Sequence, residues 1–202
     1  MSTWLQNITD KIRRGEPIPF PLAAALSLAT PLMRAGMRWR LRKPRIPVDA
    51  RVISIGNITA GGTGKTPAVI ERARREIRDN HRVAVLTRGY GAKSSEPMTV
   101  HIGKGSPELC EILGDEPALI ATKVPEALIV RCADRVAAAR KAIREYDCDV
   151  LILDDGFQYV QLERDENVLV LDATNPFGNG RLLPRGILRE PLKAMARATH
   201  VI

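Results

Sequence analysis

A glycine-rich segment near residue 60 combines the residue types that bind phosphate groups. It reads Thr-Ala-Gly-Gly-Thr-Gly-Lys-Thr, and its glycines allow consecutive backbone N–H groups to face a phosphate oxygen. Lys65 is expected to reach the β- and γ-phosphates of a nucleotide, and the Thr66 hydroxyl to ligate Mg²⁺. The predicted nucleotide-binding residues are Thr59, Ala60, Gly61, Gly62, Thr63, Gly64, Lys65 and Thr66.

The flanking sequence supports this interpretation, although Thr59 stands where the usual pattern has glycine. The β-branched run over 51–56 predicts a buried strand, and residues 68–79 carry the apolar spacing of a helix. Pro67 suits the first turn of that helix, whose N-terminus supplies unpaired donors and a positive dipole. The alternative is a glycine turn that binds nothing.

A second apolar run ends in two carboxylates. Residues 149–155 read Asp-Val-Leu-Ile-Leu-Asp-Asp, the pattern of a strand that supplies a magnesium ligand. We expect Asp154 to hold the metal, directly or through water. Asp155 is expected to point to the other face of the strand and to serve another purpose. The alternative is that Asp155 and Gly156 merely form a turn.

The remaining sequence alternates between strand and helix patterns, which predicts an α/β fold with a mostly parallel sheet flanked by helices. Further strands are predicted over 82–87, 98–102, 127–131 and 167–172, and helices over 107–113 and 133–146. Ligands of such sheets bind at the carboxyl ends of the strands. We assign residues 51–202 to this core domain and residues 1–50 to an N-terminal arm.

The positive charge of the chain is concentrated in that arm. The whole chain carries a formal charge of +8, and residues 1–51 contribute ten Lys or Arg against three acids. Because the remainder is close to neutral, the composition argues against a general nucleic-acid binder, and no nucleic-acid partner is expected. Three widely spaced cysteines and three scattered histidines also argue against a disulfide framework or a zinc site.

The arm contains an uncharged stretch, residues 17–33, followed by a cluster of basic residues and Trp39. A helix is predicted to begin near Pro21 or Leu22, and Pro31 is expected to kink or interrupt it. An apolar helix followed by cations and an indole is typical of an interfacial membrane anchor, which predicts that residues 17–45 contact a membrane surface. A helix packed on the domain, a cleaved signal peptide and a nucleic-acid arm remain alternatives.

Six ordered motifs resemble those of the tetraacyldisaccharide 4'-kinase family, the lipid A 4'-kinases of Gram-negative bacteria. They begin at Gly56 (GNITAGGTGKTP), Thr87 (TRGYG), Gly114 (GDEP), Asp134 (DRV), Asp154 (DDGFQ) and Leu182 (LLP, continuing to LREP at 188–191). Together they span about two thirds of the chain. The apolar, basic N-terminus also suits this family.

The resemblance implies an enzyme that transfers the γ-phosphoryl group of ATP to the 4'-hydroxyl of a tetraacylated glucosamine disaccharide 1-phosphate, giving lipid IVA. It implies ATP and Mg²⁺ as cofactors, the acylated disaccharide as partner, and the cytoplasmic face of the bacterial inner membrane as the location. Asp115 corresponds to the family's proposed catalytic carboxylate, and Lys65 is assigned with it to catalysis. The further polar site positions are Arg135, Asp155, Gln158 and Glu190.

Two of these residues have simpler interpretations. Asp115 precedes Glu-Pro and would make a good helix N-cap, a role compatible with catalysis. Arg88 lies between glycines and would either contact phosphate or belong to a turn.

The chain departs from the family in two respects. Tyr159 stands where the family usually has histidine, and tyrosine cannot become a cation near neutral pH. Family members also continue beyond residue 202, so a chain lacking that part is expected to bind ATP and to turn over poorly. The alternative function is a P-loop ATPase or regulatory switch tethered to a membrane or a protein partner.

Overall fold

A seven-stranded sheet organises the protein, which we describe for residues 3–202 from a computed structural model. The strands are β1 (Arg51–Gly56), β2 (Val83–Thr87), β3 (Met98–His101), β4 (Leu128–Cys132), β5 (Val150–Asp154), β6 (Glu166–Leu169) and β7 (His200–Val201). The helices are α1 (Thr3–Arg14), α2 (Phe20–Leu41), α3 (Lys65–Arg78), α4 (Leu109–Leu113), α5 (Asp115–Lys123) and α6 (Arg135–Tyr146), with a 3-10 helix over Leu192–Arg197.

The sheet has the order β3-β4-β2-β5-β1-β6-β7, and every neighbouring pair is parallel except β3 with β4. Apolar side chains of the central strands are buried on both faces of the sheet, as continuous apolar runs predict. One face packs against α3 and α5, and the other against α6. The predicted α/β fold with a mostly parallel sheet is confirmed.

The predicted strands all appear, with ends that differ by a few residues. A further short strand, β7, pairs with β6. Helix α1 was not predicted, and the helix predicted over 107–113 is shorter in the structure, where α4 covers only Leu109–Leu113. The central strands are the best predicted elements because their apolar runs are buried on both sides.

The N-terminal region is more helical than expected. Helix α2 begins at Phe20 and continues through Pro31 to Leu41, so the expected interruption is absent. A proline removes only one backbone donor, and the neighbouring turns keep theirs. Among the helices within residues 3–202, none combines the length and the apolar character that a membrane span requires.

Helix α2 lies on the surface of the molecule. Ala23 is the buried residue of this helix, and Met37 packs against the apolar cluster that contains Ile58 and Phe157. Ser27 accepts a hydrogen bond from the Arg185 guanidinium at 2.7 Å. Most other side chains of α2 are exposed, so the helix is attached to the domain along one side only.

Candidate active site

The two predicted phosphate-site segments lie side by side because β1 and β5 are neighbours. Ile55 pairs with Asp154 in the parallel register, so the loop after β1 and the carboxylates after β5 leave the same edge of the sheet. Gly56 permits this approach: a Cβ at this position would lie 2.6 Å from the backbone nitrogen of Phe157. The Gln158 amide then donates to the carbonyl of Asn57 at 2.8 Å. Gln158 therefore connects the two segments.

The glycine loop is open on the side where a ligand would bind. Gly61 and Gly64 have positive φ angles of 126° and 80°, and side chains added at these positions would meet no neighbouring atom within 4 Å. Helix α3 begins at Lys65, and no side chain in the described part of the chain caps its N-terminus. Its first N–H groups are therefore available to an anion. Below the loop, Asn57 donates to the Thr63 hydroxyl at 2.9 Å.

Lys65 is buried and faces a carboxylate. Its Nζ lies 3.7 Å from Oδ1 of Asp155, and Oδ2 of Asp155 accepts a hydrogen bond from Arg189 at 2.7 Å. Asp155 follows the end of β5 and has a φ of 52°. Asp155 lies outside the strand, so the alternation of side chains along β5 does not set the direction of its side chain. The expectation that it points to the opposite face of the strand was based on that alternation. The left-handed turn instead directs Asp155 toward two cations.

Asp154 is almost completely buried, with 3% of its surface exposed. Oδ2 accepts a hydrogen bond from the Thr87 hydroxyl at 3.2 Å, whereas Oδ1 has no hydrogen-bond partner among the described residues. Burial, together with the nearby carboxylates of Glu116 and Asp155, raises the pKa of Asp154 to about 6, against the opposing effects of Thr87 and Lys65. An unpaired buried carboxylate oxygen beside a phosphate-binding loop fits a hard cation such as Mg²⁺.

The donor set is small, as expected for a metal that is shared with a nucleotide. Residues 3–202 contain no cluster of three or more His, Cys, Asp or Glu that could hold a metal alone. Mg²⁺ usually keeps few protein ligands and takes the rest from phosphates and water. Asp154 and the half-buried Thr66 are the residues that would hold it here.

Asp115 lies at the start of α5 and is exposed. The prediction that it caps this helix is wrong: Gly114 is the cap residue and Asp115 the first helical residue, with no side-chain capping bond. Gly114 is required there because it has a φ of 96° and a Cβ would lie 2.5 Å from the carbonyl oxygen of Tyr90. The loop after β2 thus packs against the start of α5. Arg88 in this loop is exposed, and its side chain makes no hydrogen bond or ion pair with the described residues.

Arg135 is buried at the first turn of α6. Its guanidinium donates to the carbonyls of Cys132 and Ala133 and lies 5.4 Å from the centre of the Tyr159 ring. Burial lowers the pKa of Arg135, and the nearby Arg88 lowers it further. Arg135 is therefore held against the sheet edge near the site, with Nε unpaired within residues 3–202.

Tyr159 fixes the start of the same helix. Its hydroxyl accepts from the backbone N–H of Arg135 and donates to Asp134, both at 3.1 Å. Asp134 is the N-cap of α6 and also accepts from the N–H groups of Val136 and Ala137. The Tyr159 hydroxyl therefore acts as both acceptor and donor at the start of α6.

Glu190, one of the further polar positions that the resemblance implies, pairs with an arginine of the 3-10 helix. It is buried, and its two oxygens accept from Arg197 at 2.8 and 2.9 Å. Arg197 lies 4.7 Å from the centre of the Phe157 ring. The residue that reaches the site from this segment is the preceding one, Arg189.

Sequence reasoning missed a long-range pairing that supports the glycine loop. The loop over 181–189 bonds to the glycine loop: Ala60 donates to the carbonyl of Ile187, and Arg189 donates to the carbonyl of Ile58, both at 2.7 Å. Thr59 forms a bridge with Leu188 in the same pairing. Asn57, Thr87 and Arg189 lie within the family motifs but were not predicted as site residues. The neighbouring sequence does not indicate bonding partners that are up to about 130 residues away.

Comparison with known proteins identifies the family. The tetraacyldisaccharide-1-P 4'-kinase (LpxK) family model matches residues 17–202. A tetraacyldisaccharide 4'-kinase of Syntrophus aciditrophicus is 44% identical over 97% of this chain and 56% of its own length. A second, from Pelobacter propionicus, is 40% identical over 100% of this chain and 58% of its own.

A solved structure gives the same result. The crystal structure of an "apo" form of LpxK from Aquifex aeolicus in complex with ATP has a TM-score of 0.77 and 34% identity, covering 89% of this chain and 58% of that one. The chain spans about half the length of the curated relatives it matches. With the family model covering most of the sequence and two relatives at 40% identity or more, the chain belongs to the tetraacyldisaccharide-1-P 4'-kinase family.

Proposed function

We propose that this protein is an ATP-dependent kinase that phosphorylates the 4'-hydroxyl of a tetraacyldisaccharide 1-phosphate in lipid A biosynthesis. The observation that carries the proposal is the meeting of Lys65, Asp154 and Asp155 at an open glycine loop in a member of this family. The ATP in the Aquifex aeolicus relative supports nucleotide binding at the equivalent loop. Family membership gives no support to the alternative of a regulatory ATPase.

Nucleotide binding is assigned to the loop over 59–66. Its N–H groups and the N-terminus of α3 would bind the phosphates, with Lys65 exchanging the carboxylate of Asp155 for the β- and γ-phosphates. Asp154 and Thr66 would hold Mg²⁺, which neutralises phosphate charge when it is bound.

Phosphoryl transfer needs a group that takes the proton of the sugar hydroxyl. Asp115 is exposed on α5, whose neighbour Glu116 is close enough to Asp154 to raise its pKa. We assign to Asp115 the acceptance of the 4'-hydroxyl proton as the new O–P bond forms and the bond from the γ-phosphorus to ADP breaks. Arg88 and Arg135 supply positive charge near the edge of the sheet where the strands end.

The arm is assigned to membrane contact at the cytoplasmic face of the inner membrane. Phe20, Leu28, Leu32 and Trp39 on α2 each expose more than half of their surface. The basic residues that follow them suit anionic headgroups, and Lys43 lies 4.8 Å from the centre of the Trp39 ring.

The test uses labelled ATP, tetraacyldisaccharide 1-phosphate and the intact gene product. Asp115→Ala is expected to bind ATP normally and to slow transfer by roughly 10²–10⁴-fold, the usual contribution of a general base. Lys65→Ala is expected to weaken ATP binding strongly in the 202-residue chain as well. Wild-type transfer by Asp115→Ala would remove the role of Asp115, and unchanged ATP affinity in Lys65→Ala would remove the nucleotide site.

A further inference from the structure

A partly buried arginine, Arg164, lies beside the loop that follows β5. Its Nη1 donates to the Ser54 hydroxyl at 3.1 Å, to the carbonyl of Gly156 at 3.2 Å and to Oδ1 of Asn167 at 3.0 Å. Its Nη2 donates to the carbonyl of Tyr159. One guanidinium therefore joins β1, β6 and the loop after β5.

An ion pair does not explain the position of Arg164. All four acceptors are neutral oxygens, and within residues 3–202 no carboxylate pairs with this guanidinium. Burial, together with the nearby cations of Arg197 and Arg45, lowers the pKa of Arg164 to about 10, against the opposing effect of Glu190. Removal of the cation from water therefore opposes folding. What the side chain contributes is the geometry that its hydrogen bonds impose.

The support of Arg164 is fixed to two neighbouring strands, β1 and β6. The next residue, Asp165, donates its N–H to the carbonyl of Val52 at 2.9 Å, and its Oδ2 accepts the N–H of Val52 at 2.7 Å. Nδ2 of Asn167 donates to the carbonyl of Arg197 at 2.9 Å, which directs Oδ1 toward Arg164. The guanidinium is therefore held by the sheet itself.

The contacts of Arg164 with the loop hold both ends of one turn. The N–H of Tyr159 donates to the carbonyl of Gly156 at 2.9 Å, and Arg164 binds the carbonyls of both residues. The turn lies directly on the sheet, since a Cβ at Gly156 would be 2.7 Å from the Ser54 hydroxyl. Asp155 enters the turn with a φ of 52°, a conformation that persists only where its surroundings hold it. The guanidinium supplies such a hold.

The turn presents Gln158 to the glycine loop. Gln158 lies between the two residues whose carbonyls Arg164 binds, and its amide donates to the carbonyl of Asn57 at 2.8 Å. The side chain of Asn57 donates in turn to the Thr63 hydroxyl at 2.9 Å, within the phosphate-binding segment. A path of hydrogen bonds and one short turn therefore runs from Arg164 to the loop over 59–66.

We propose that Arg164 is a positioning residue of the nucleotide site, because it fixes the turn over 156–159 and, through Gln158, the shape of the glycine loop. The inference rests on the proposed function and adds to its ATP site a residue that acts through another side chain. Arginine suits the position because its planar guanidinium donates several N–H groups in fixed directions. A loop that is ordered beforehand loses less conformational entropy when ATP binds.

The test is equilibrium binding of MgATP to the 202-residue chain, which requires no acceptor and no catalysis. Arg164→Gln is expected to weaken binding by roughly 3–30-fold, within the range of coupling between residues of one hydrogen-bond network. In a chain that already carries Gln158→Ala, the same substitution is expected to weaken binding less than about twofold, because the connection to the glycine loop is already lost. A merely structural role would weaken binding by the same factor in both backgrounds.

Arg131→Gln is the matched control. The Arg131 guanidinium is also buried and also binds neutral oxygens, the carbonyl of Glu96 and the hydroxyl of Thr99. These bonds hold the segment around the edge strand β3 and not the turn over 156–159, so the affinity for MgATP is expected to stay unchanged. Arg164→Lys keeps the charge and much of the side-chain volume but loses the planar group. It is also expected to weaken binding, and it carries the test if Arg164→Gln does not fold.

Urea unfolding verifies that each variant is folded. Unchanged affinity in the folded Arg164 variants would overturn the inference, as would equal weakening with and without Gln158→Ala. The same weakening by Arg131→Gln would assign the effect to the loss of any buried cation and also overturn it. Lys65→Ala decides the nucleotide site separately, because an effect of Lys65→Ala beside an unchanged Arg164 variant would remove only the positioning role.

Discussion

Asp155 occupies a central place among the site residues because it faces two cations. Its left-handed backbone places one oxygen near Lys65 and the other on Arg189. Without nucleotide, the carboxylate keeps the buried lysine neutralised. In the proposed function, ATP would replace this anionic partner of Lys65 with another, and the lysine is already in place.

Asp154 makes the stability of the nucleotide-free chain dependent on pH. Its pKa rises from 3.8 to about 6 on folding. The folded state therefore binds more protons than the unfolded state between these values, so the free energy of unfolding falls as pH rises through this window. Asp154→Asn is expected to be more stable than wild type by about 2–3 kcal/mol at pH 7.5.

Urea unfolding in EDTA, without nucleotide, measures this difference. Near pH 3.5 the gain should nearly vanish, because Asp154 is then mostly protonated in both states. Thr87→Val provides a comparison that removes the hydrogen bond to Asp154 without changing charge. A gain of Asp154→Asn that is the same at both pH values would contradict the expectation.

We expect the main effect of replacing Glu190 to be a loss of stability. Glu190→Ala leaves the guanidinium of Arg197 without its carboxylate, which should lower the free energy of unfolding by about 2–4 kcal/mol, less than for a fully buried pair because Arg197 is partly exposed. The double variant Glu190→Leu with Arg197→Met should recover much of this loss. Thermal and urea unfolding measure both. A fully stable Glu190→Ala with impaired ATP turnover would instead favour the site role that the family resemblance implies.

At the scale of elements, the start of α6 depends on a side chain from the loop after β5. Tyr159 and Asp134 together satisfy three N–H groups of the first turn. Arg164 supports the same loop by donating to the carbonyls of Gly156 and Tyr159. The loop over 155–159 therefore positions a helix on one side and the glycine loop on the other.

Tyr159→Phe is expected to lower the free energy of unfolding by about 1 kcal/mol, because it leaves the N–H of Arg135 without its partner. Amide hydrogen exchange at the first turn of α6 should quicken, while exchange in β1 stays unchanged. Tyr146→Phe, a substitution of the same kind at the other end of the helix, is the control. Unchanged protection in the first turn would show that the hydroxyl contributes nothing.

Gly56→Ala is expected to damage both motifs together. The added methyl group would lie 2.6–2.7 Å from the backbone nitrogen and Cβ of Phe157, so one of the two segments must move. We expect a loss of roughly 1–3 kcal/mol in the free energy of unfolding and a weaker affinity for ATP. Gly36→Ala, where an added Cβ meets nothing within 4 Å, is the control. ATP titration and urea unfolding that match wild type would contradict the expectation.

For the whole molecule, the distribution of charge separates two surfaces. In the sheet domain, the buried carboxylates of Glu76 and Glu190 pair with arginines, whereas the basic residues of α2 face solvent. Deletion of residues 1–45 is expected to abolish co-sedimentation with anionic vesicles, and the binding of the intact chain should weaken with salt. ATP binding by the shortened chain shows whether its core remains folded. Undiminished vesicle binding after the deletion would exclude the arm as the membrane contact.

The sequence was informative where structure is set locally. The central strands and the glycine loop followed from apolar runs and from the spacing of Gly64, Lys65 and Thr66. It was uninformative where distant segments meet, as where the loop over 181–189 bonds to Ala60. The N-cap at Gly114 was also missed, because a glycine cap is set by contact with Tyr90 and not by its own side chain.

The close approach of Gly56 to Phe157 has a consequence for protein engineering. The glycine loop and the segment after β5 share a backbone contact, a glutamine bridge and the ion pair of Lys65 with Asp155. A graft of residues 56–66 alone onto another parallel sheet would therefore transfer a loop without the surface that shapes it. The smallest transplantable unit is both segments on two adjacent parallel strands, in their original register.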